Sequence, residues 1–170
     1  MAANKEPVIT LVELAPTSFG DLRTKMVQDV YAKINLPSRA IPLLHAILLQ
    51  EGYNDIASID TRYNSDGMIT NDDLDRIKNS DRVLASSIIR TLPQTIQLGK
   101  EYKEANPEGV FITGGHPGTF LPETFLNNGA DVVVRGEGEK PLSAAMKVLG
   151  EKWFIHCIGF TCTYLQLESS

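Results

Sequence analysis

Cysteine, positive charge and long apolar runs are all scarce in this chain, and each shortage removes a class of protein. No stretch of the 170 residues approaches the roughly 20 consecutive apolar residues that span a bilayer, so no membrane-spanning helix is expected. Residues 1–20 lack the basic, apolar and small-residue succession of a signal peptide, and the expected location is cytoplasmic. The 2 cysteines, Cys157 and Cys162, have 4 residues between them. That is neither a redox Cys-x-x-Cys nor a zinc ribbon, and two reduced, half-buried thiols are expected. With 16 Lys and Arg against 21 Asp and Glu, the net charge is −5, and no run of like charges stands out. Affinity for phosphate backbones rests on Lys and Arg patches, so nucleic acid is not an expected partner.

What is present is ordinary for a soluble globular chain: 42% hydrophobic and 22% charged residues, enough for one domain with a real core. The informative stretch runs from Gly109 to Gly138. Val110 to Thr113 is a β-prone run ending on Gly114-Gly115, and Val132 to Val134 is another, ending on Arg135-Gly136-Glu137-Gly138. Buried strands that break into glycines at their carboxyl ends mark the ligand edge of an open parallel α/β sheet. Either break alone reads as an ordinary turn. Two in succession, each followed by a helix start, point to a site.

In chain order, Val8 to Leu14 reads as a central first strand, nearly continuous in apolar character. Thr17 and Ser18 lie in the turn-rich loop after it, which matches neither a P-loop nor a G-x-G-x-x-G. Residues 21–37 carry no clear pattern. Ser38 caps a helix running to about Glu51, stopped by Gly52, with Ile41, Leu44, Ile47 and Leu48 inward. His45 beside that stripe reads as packing rather than as a ligand. Asn54 to Asp60 is a thinner, edge-like second strand. Thr70 and Asp73 imitate a capping box and open a short helix through Leu74 and Ile77. The acids Asp66, Asp72 and Asp73 lack the ligand spacing of an EF-hand. Arg82 to Ile89 is the third strand. Thr91 caps the next helix, Pro93 sits in its first turn, and Leu92, Ile96 and Gly99 form its inner face. Gly99 in mid-helix makes sense if that helix lies close against the sheet or a ligand. A short helix begins near Pro122, the fifth strand spans Ala130 to Val134, and the last helix runs from Pro141 to Gly150. This alternation predicts an α/β Rossmann-like or flavodoxin-like fold. Its five parallel strands should take the order 2-1-3-4-5, with helices on both faces and ligands over the carboxyl ends of strands 1, 3 and 4.

Pro37 to Gly52, Ser86, Gly114-Gly115-His116-Pro117-Gly118-Thr119 with Pro122-Glu123, and Val133-Val134-Arg135-Gly136-Glu137-Gly138-Glu139 together resemble one family. It is the amino-terminal cobalamin-binding domain of B12-dependent radical SAM proteins, the group with magnesium-protoporphyrin ester cyclases and hopanoid methylases. The likeness covers about residues 36–150, and the Val-Val-Arg-Gly-Glu-Gly-Glu run is its most specific part. The resemblance implies a corrin ring over the carboxyl edge of the sheet and a nucleotide tail between sheet and helices. By position, Ser86, Arg90 and Thr91 would line the corrinoid at strand 3. Gly114, Gly115, His116 and Thr119 would line it at strand 4, while Arg135, Gly136, Glu137 and Gly138 would flank the tail or face a partner domain. Thr17 and Ser18 join this cofactor-binding set from the first loop. Acids near a helix N-terminus are also favoured by its dipole, which accounts equally well for Glu137 and Glu139.

Three departures from the family pattern are visible. The Asp-x-His-x-x-Gly signature is absent after the first strand. The turn reads Gly-Gly-His-Pro rather than the more usual Gly-Gly-Pro-His. The Cys-x-x-x-Cys-x-x-Cys of the radical SAM cluster is missing. The implied arrangement is a cobalamin-binding domain over residues 1–150. Residues 151–170 would be a tail, an added strand, or the start of a linker to a radical SAM domain. That partner would be supplied in cis or in trans, with S-adenosylmethionine and a 4Fe-4S cluster only in the fuller enzyme. The rival expectation is a cofactor-free flavodoxin-like interaction domain that self-associates through residues 151–170.

Overall fold

In a computed structural model, residues 6–16, 38–64, 68–151 and 162–165 are described, with side chains as far as Leu149. Five parallel strands form the body of the sheet: β1 (Ile9–Glu13), β2 (Ile56–Asp60), β3 (Arg82–Ser87), β4 (Val110–Gly115) and β5 (Val132–Val134). A sixth, β6 (Cys162–Leu165), runs antiparallel along β5, giving the order β2-β1-β3-β4-β5-β6. This sixth strand lies within residues 151–170. The parallel strands take the order 2-1-3-4-5 expected from the alternation of elements.

The helices are α1 (Ala40–Gln50), α2 (Asn71–Lys78), α3 (Leu92–Ala105), α4 (His116–Phe120), α5 (Pro122–Leu126) and α6 (Glu139–Glu151). Two apolar cores, one on each face, follow the strand alternation. On one face Val83, Phe111 and Val133 meet Ile77 of α2, Leu98 and Tyr102 of α3 and Phe125 of α5. On the other, Leu84, Ile112 and Val132 meet Ile41 and Leu48 of α1 and Leu142, Ala145 and Met146 of α6. Because β1, β3 and β4 are covered on both sides, their sequences are apolar almost throughout. β2 is an edge strand, pairing with β1 alone, as its thinner apolar content foretold.

Local signals worked through the chemistry assigned to them. Ser38 Oγ accepts from the Ile41 N–H at 3.0 Å, and Gly52 ends α1 at φ +92°. Thr70 and Asp73 form the complete capping box of α2. His45 is held by its Nδ1, 3.0 Å from Ser58 Oγ of β2. Gly99 lies against the sheet: a Cβ there would come within 2.7 Å of the Phe111 ring.

The end of β3 and the inner face of α3 differ from the sequence reading. β3 stops at Ser87, and Ile88 and Ile89 are exposed rather than strand residues. The Thr91 hydroxyl accepts from Ile88 N–H at 3.1 Å, a local side-chain bond that closes a 3₁₀ turn in place of further sheet pairing. The inner face of α3 is Thr95, Leu98, Gly99 and Tyr102, while Leu92 and Ile96 are only partly buried.

Candidate functional site

At the carboxyl edge, one row of residues runs across four strands in register: Asp60 of β2, Glu13 of β1, Ser86 of β3 and Gly114 of β4. On the face carrying α1 and α6, a cavity of about 240 Å³ opens at this edge. Leu84 and Ile112, two residues below Ser86 and Gly114, are paired across β3 and β4 and form its sheet side. Leu43 and Leu44 of α1 and Leu142 of α6 form the opposite walls, and Gly136, Glu137 and Gly138 its rim. Sites that enclose a drug-sized ligand measure about 300–1,000 Å³, so this one admits an appendage of a large ligand and not its body.

The glycine breaks shape the edge by letting backbone approach backbone. Gly115 has φ +85°, and a Cβ there would lie 2.3 Å from Ser87 O. A Cβ on Gly114 would lie 3.2 Å from Val134 Cβ, and one on Gly118 would lie 3.0 Å from Val134 O. Thr119 joins the two breaks. Its hydroxyl donates to Gly115 O at 3.3 Å and accepts from Gly136 N–H at 2.9 Å, while its carbonyl accepts from Arg135 Nε at 3.2 Å.

At the β1 and β2 end, Arg62 bridges two carboxylates, with Nε 2.8 Å from Asp60 Oδ1 and a guanidinium nitrogen 3.3 Å from Glu13 Oε1. The hydrogen bond to Asp60 outweighs burial, and with the charge of Glu13 it keeps the guanidinium protonated even more firmly than usual. Ser38 Oγ donates to Glu13, tying the entry of α1, and so one wall of the cavity, to the end of β1.

The residues expected at the site divide by position. Ser86, Gly114, Gly115, Gly136, Glu137 and Gly138 line the cavity. His116 is exposed beside it, its ring 4.8 Å from that of Phe120. Thr119 and Arg135 hold the rim together. Arg90 is half-buried in the turn after β3, and Thr91 is enclosed there, 1% exposed, bonded to Ile88 and Ser87. Thr17 and Ser18 lie outside the described residues, as does Asp66. Among the described residues no group of three metal-ligating side chains occurs.

Sequence reasoning missed the apolar walls, since leucines with core periodicity carry no sign that the space between them is open. It also missed Glu13, Asp60 and Arg62, which come together only through strand register. Beyond β3 and β4, Ile88, Ile89, Phe120 and Leu121 are exposed large apolar side chains, the first two of them expected within the third strand.

A family model described as B12 binding domain matches residues 31–146, a span that holds the cavity and both glycine breaks. The chain belongs to this family. It is a cobalamin-binding module on a Rossmann-like sheet. A comparison with curated proteins gives no match. The residues present fit a corrinoid: the B12-binding domain offers an apolar cavity of appendage size, a shelf of glycines beside it, and exposed apolar side chains on the segments that follow β3 and β4. Among its described residues, no helix is long and apolar enough to cross a membrane.

Proposed function

We propose that this B12-binding domain serves a B12-dependent radical SAM enzyme, holding cobalamin with the corrin over the carboxyl edge and the nucleotide tail in the cavity. The observation that carries the reading is an apolar cavity, too small for the ring, opening beside a shelf of glycines. Gly114, Gly115 and Gly136 leave the shelf low. Ser86, whose hydroxyl has no bonding partner among the described residues, meets the tail at the entrance. Ile88, Ile89 and Phe120 supply apolar area beneath the ring's edge, with His116 and Arg90 beside them.

A bound corrinoid supplies methyl-transfer or radical-assisted chemistry that no side chain can supply. The chain's own work is positional: it orients the ring, withdraws the tail from water and presents the opposite ring face to a partner. The Val-Val-Arg-Gly-Glu-Gly-Glu run supports the radical SAM association, with S-adenosylmethionine and a 4Fe-4S cluster held by that partner. Residues 151–170 lead toward it in cis, or the partner arrives in trans. The setting is cytoplasmic in this reading.

Titration with hydroxocobalamin, followed in the visible spectrum, should give a saturable shift and co-elution with the protein. A spectrum unchanged at high protein concentration, with no co-elution, would overturn the reading. Given S-adenosylmethionine and a strong reductant, the loaded chain alone should form no deoxyadenosine, since the sequence has no cluster motif. Deoxyadenosine formation by the isolated chain would refute the assignment of that chemistry to a partner.

A further inference from the structure

We propose that the cavity selects among corrinoids by their lower base, taking an apolar benzimidazole-type base in preference to an amino-substituted purine. This rests on the corrinoid reading above and adds which corrinoid is held.

The selectivity follows from what the deep wall offers. Leu84, Ile112, Val134 and Leu142 are all nearly fully buried apart from the cavity itself, and Leu44 closes it from α1. Thr113, next to Ile112 on β4, turns its side chain to the opposite face of the sheet with Phe111, where it donates to Ala85 O at 3.0 Å. Ser86 stands at the level of Gly114, at the entrance and two residues above the Leu84–Ile112 pair. Arg39, Glu137 and Glu139 also line the cavity, at the starts of α1 and α6 rather than among the leucines. A benzimidazole carrying methyl groups presents apolar edges to such a wall and brings a single free ring nitrogen and no N–H donor, so it loses less there. The exocyclic amine of adenine carries two N–H donors, and the side chains of the deep wall hold no acceptor for them. A buried donor without an acceptor forfeits its bond to water.

The main comparison sets three corrinoids against the full wild-type chain, where no substitution can confuse folding with binding. The probes are hydroxocobalamin, its adenine-tailed analogue, and cobinamide, which has no base. Equilibrium dialysis with visible absorbance gives each dissociation constant. Hydroxocobalamin should bind at least about tenfold more tightly than either of the others, the scale on which apolar pockets discriminate. Leu44→Gln places an amide in the half-buried α1 wall and should narrow the gap between the two tailed corrinoids by several-fold. If all three bind within tenfold of one another, the base makes no use of the cavity and this inference falls, while corrinoid binding stands. Tighter binding of the adenine-tailed form reverses the proposed preference and also overturns it. An unchanged gap in the Leu44→Gln protein removes that wall as its source. If none of the three binds, the functional reading itself fails.

Discussion

Single glycines and hydroxyls at the carboxyl edge act on the backbone before they act on any ligand. Gly115 shows this best, because it combines a positive φ with a Cβ position 2.3 Å from Ser87 O. Gly52 has the same handedness, φ +92°, but open space around its Cβ position. Gly52→Ala should therefore cost only conformational strain, about 1–2 kcal/mol. Gly115→Ala adds a backbone clash and should cost about 2–4 kcal/mol. Thermal melts of the two variants separate these values, and equal shifts would refute the clash. Thr119→Val keeps shape but removes the hydroxyl that joins Gly115 to Gly136. We expect a loss of about 1–2 kcal/mol in stability and several-fold weaker corrinoid binding, read by denaturation and by absorbance titration.

Two helices and one strand decide whether the cavity exists. α1 and α6 face each other across it, and Glu51 at the end of α1 joins them by accepting from Ser143 Oγ and pairing with Lys147 Nζ at 3.0 Å. The Ser143 hydrogen bond, then that of Lys147, lowers the Glu51 pKa from its ordinary value. A carboxylate with a depressed folded-state pKa contributes stability above its unfolded pKa of about 4.3, and loses it as pH falls through the lower folded value. The melting temperature of the wild type should exceed that of Glu51→Gln at pH 6, and the difference should shrink as the pH falls below about 4. A difference that persists unchanged at low pH would show the charge to be irrelevant. β6 covers the outer edge of β5. Deleting residues 151–170 should leave β5 as an open edge and increase association on size exclusion, because unpaired strand edges template pairing. Reduced association after the deletion would instead make the tail a docking element.

For the molecule as a whole, the cofactor should act as a folding ligand. The cavity proposed to hold it is lined from α1, β3, β4, the segment after β5 and α6, elements far apart in sequence that only the folded sheet assembles. A ligand that binds the native state alone stabilises it by about 2.7 kcal/mol at a hundredfold excess over its dissociation constant. For a chain of this size that corresponds to a rise in melting temperature of about 5–10 °C. Scanning calorimetry at increasing hydroxocobalamin checks it, and a melting temperature independent of cobalamin would count against native-state binding.

Alternation of apolar runs with capped helices was enough to obtain the parallel sheet and its order. The Thr70–Asp73 box acts through residues three apart, and the β-prone run Val110 to Thr113 is legible from its own composition although its pairing partners, Arg82 to Ala85, are distant. The Gly-Gly and Arg-Gly-Glu-Gly breaks marked the edge where the cavity opens for the same reason. Tertiary structure alone decided that Leu44, Leu84, Ile112 and Leu142 enclose open space instead of filling it, and that Glu13, Arg62 and Asp60 share one edge. Open volume is a property of how far apart α1, α6 and the sheet come to rest, and that distance is a sum over packing contacts that no single segment of the chain contains.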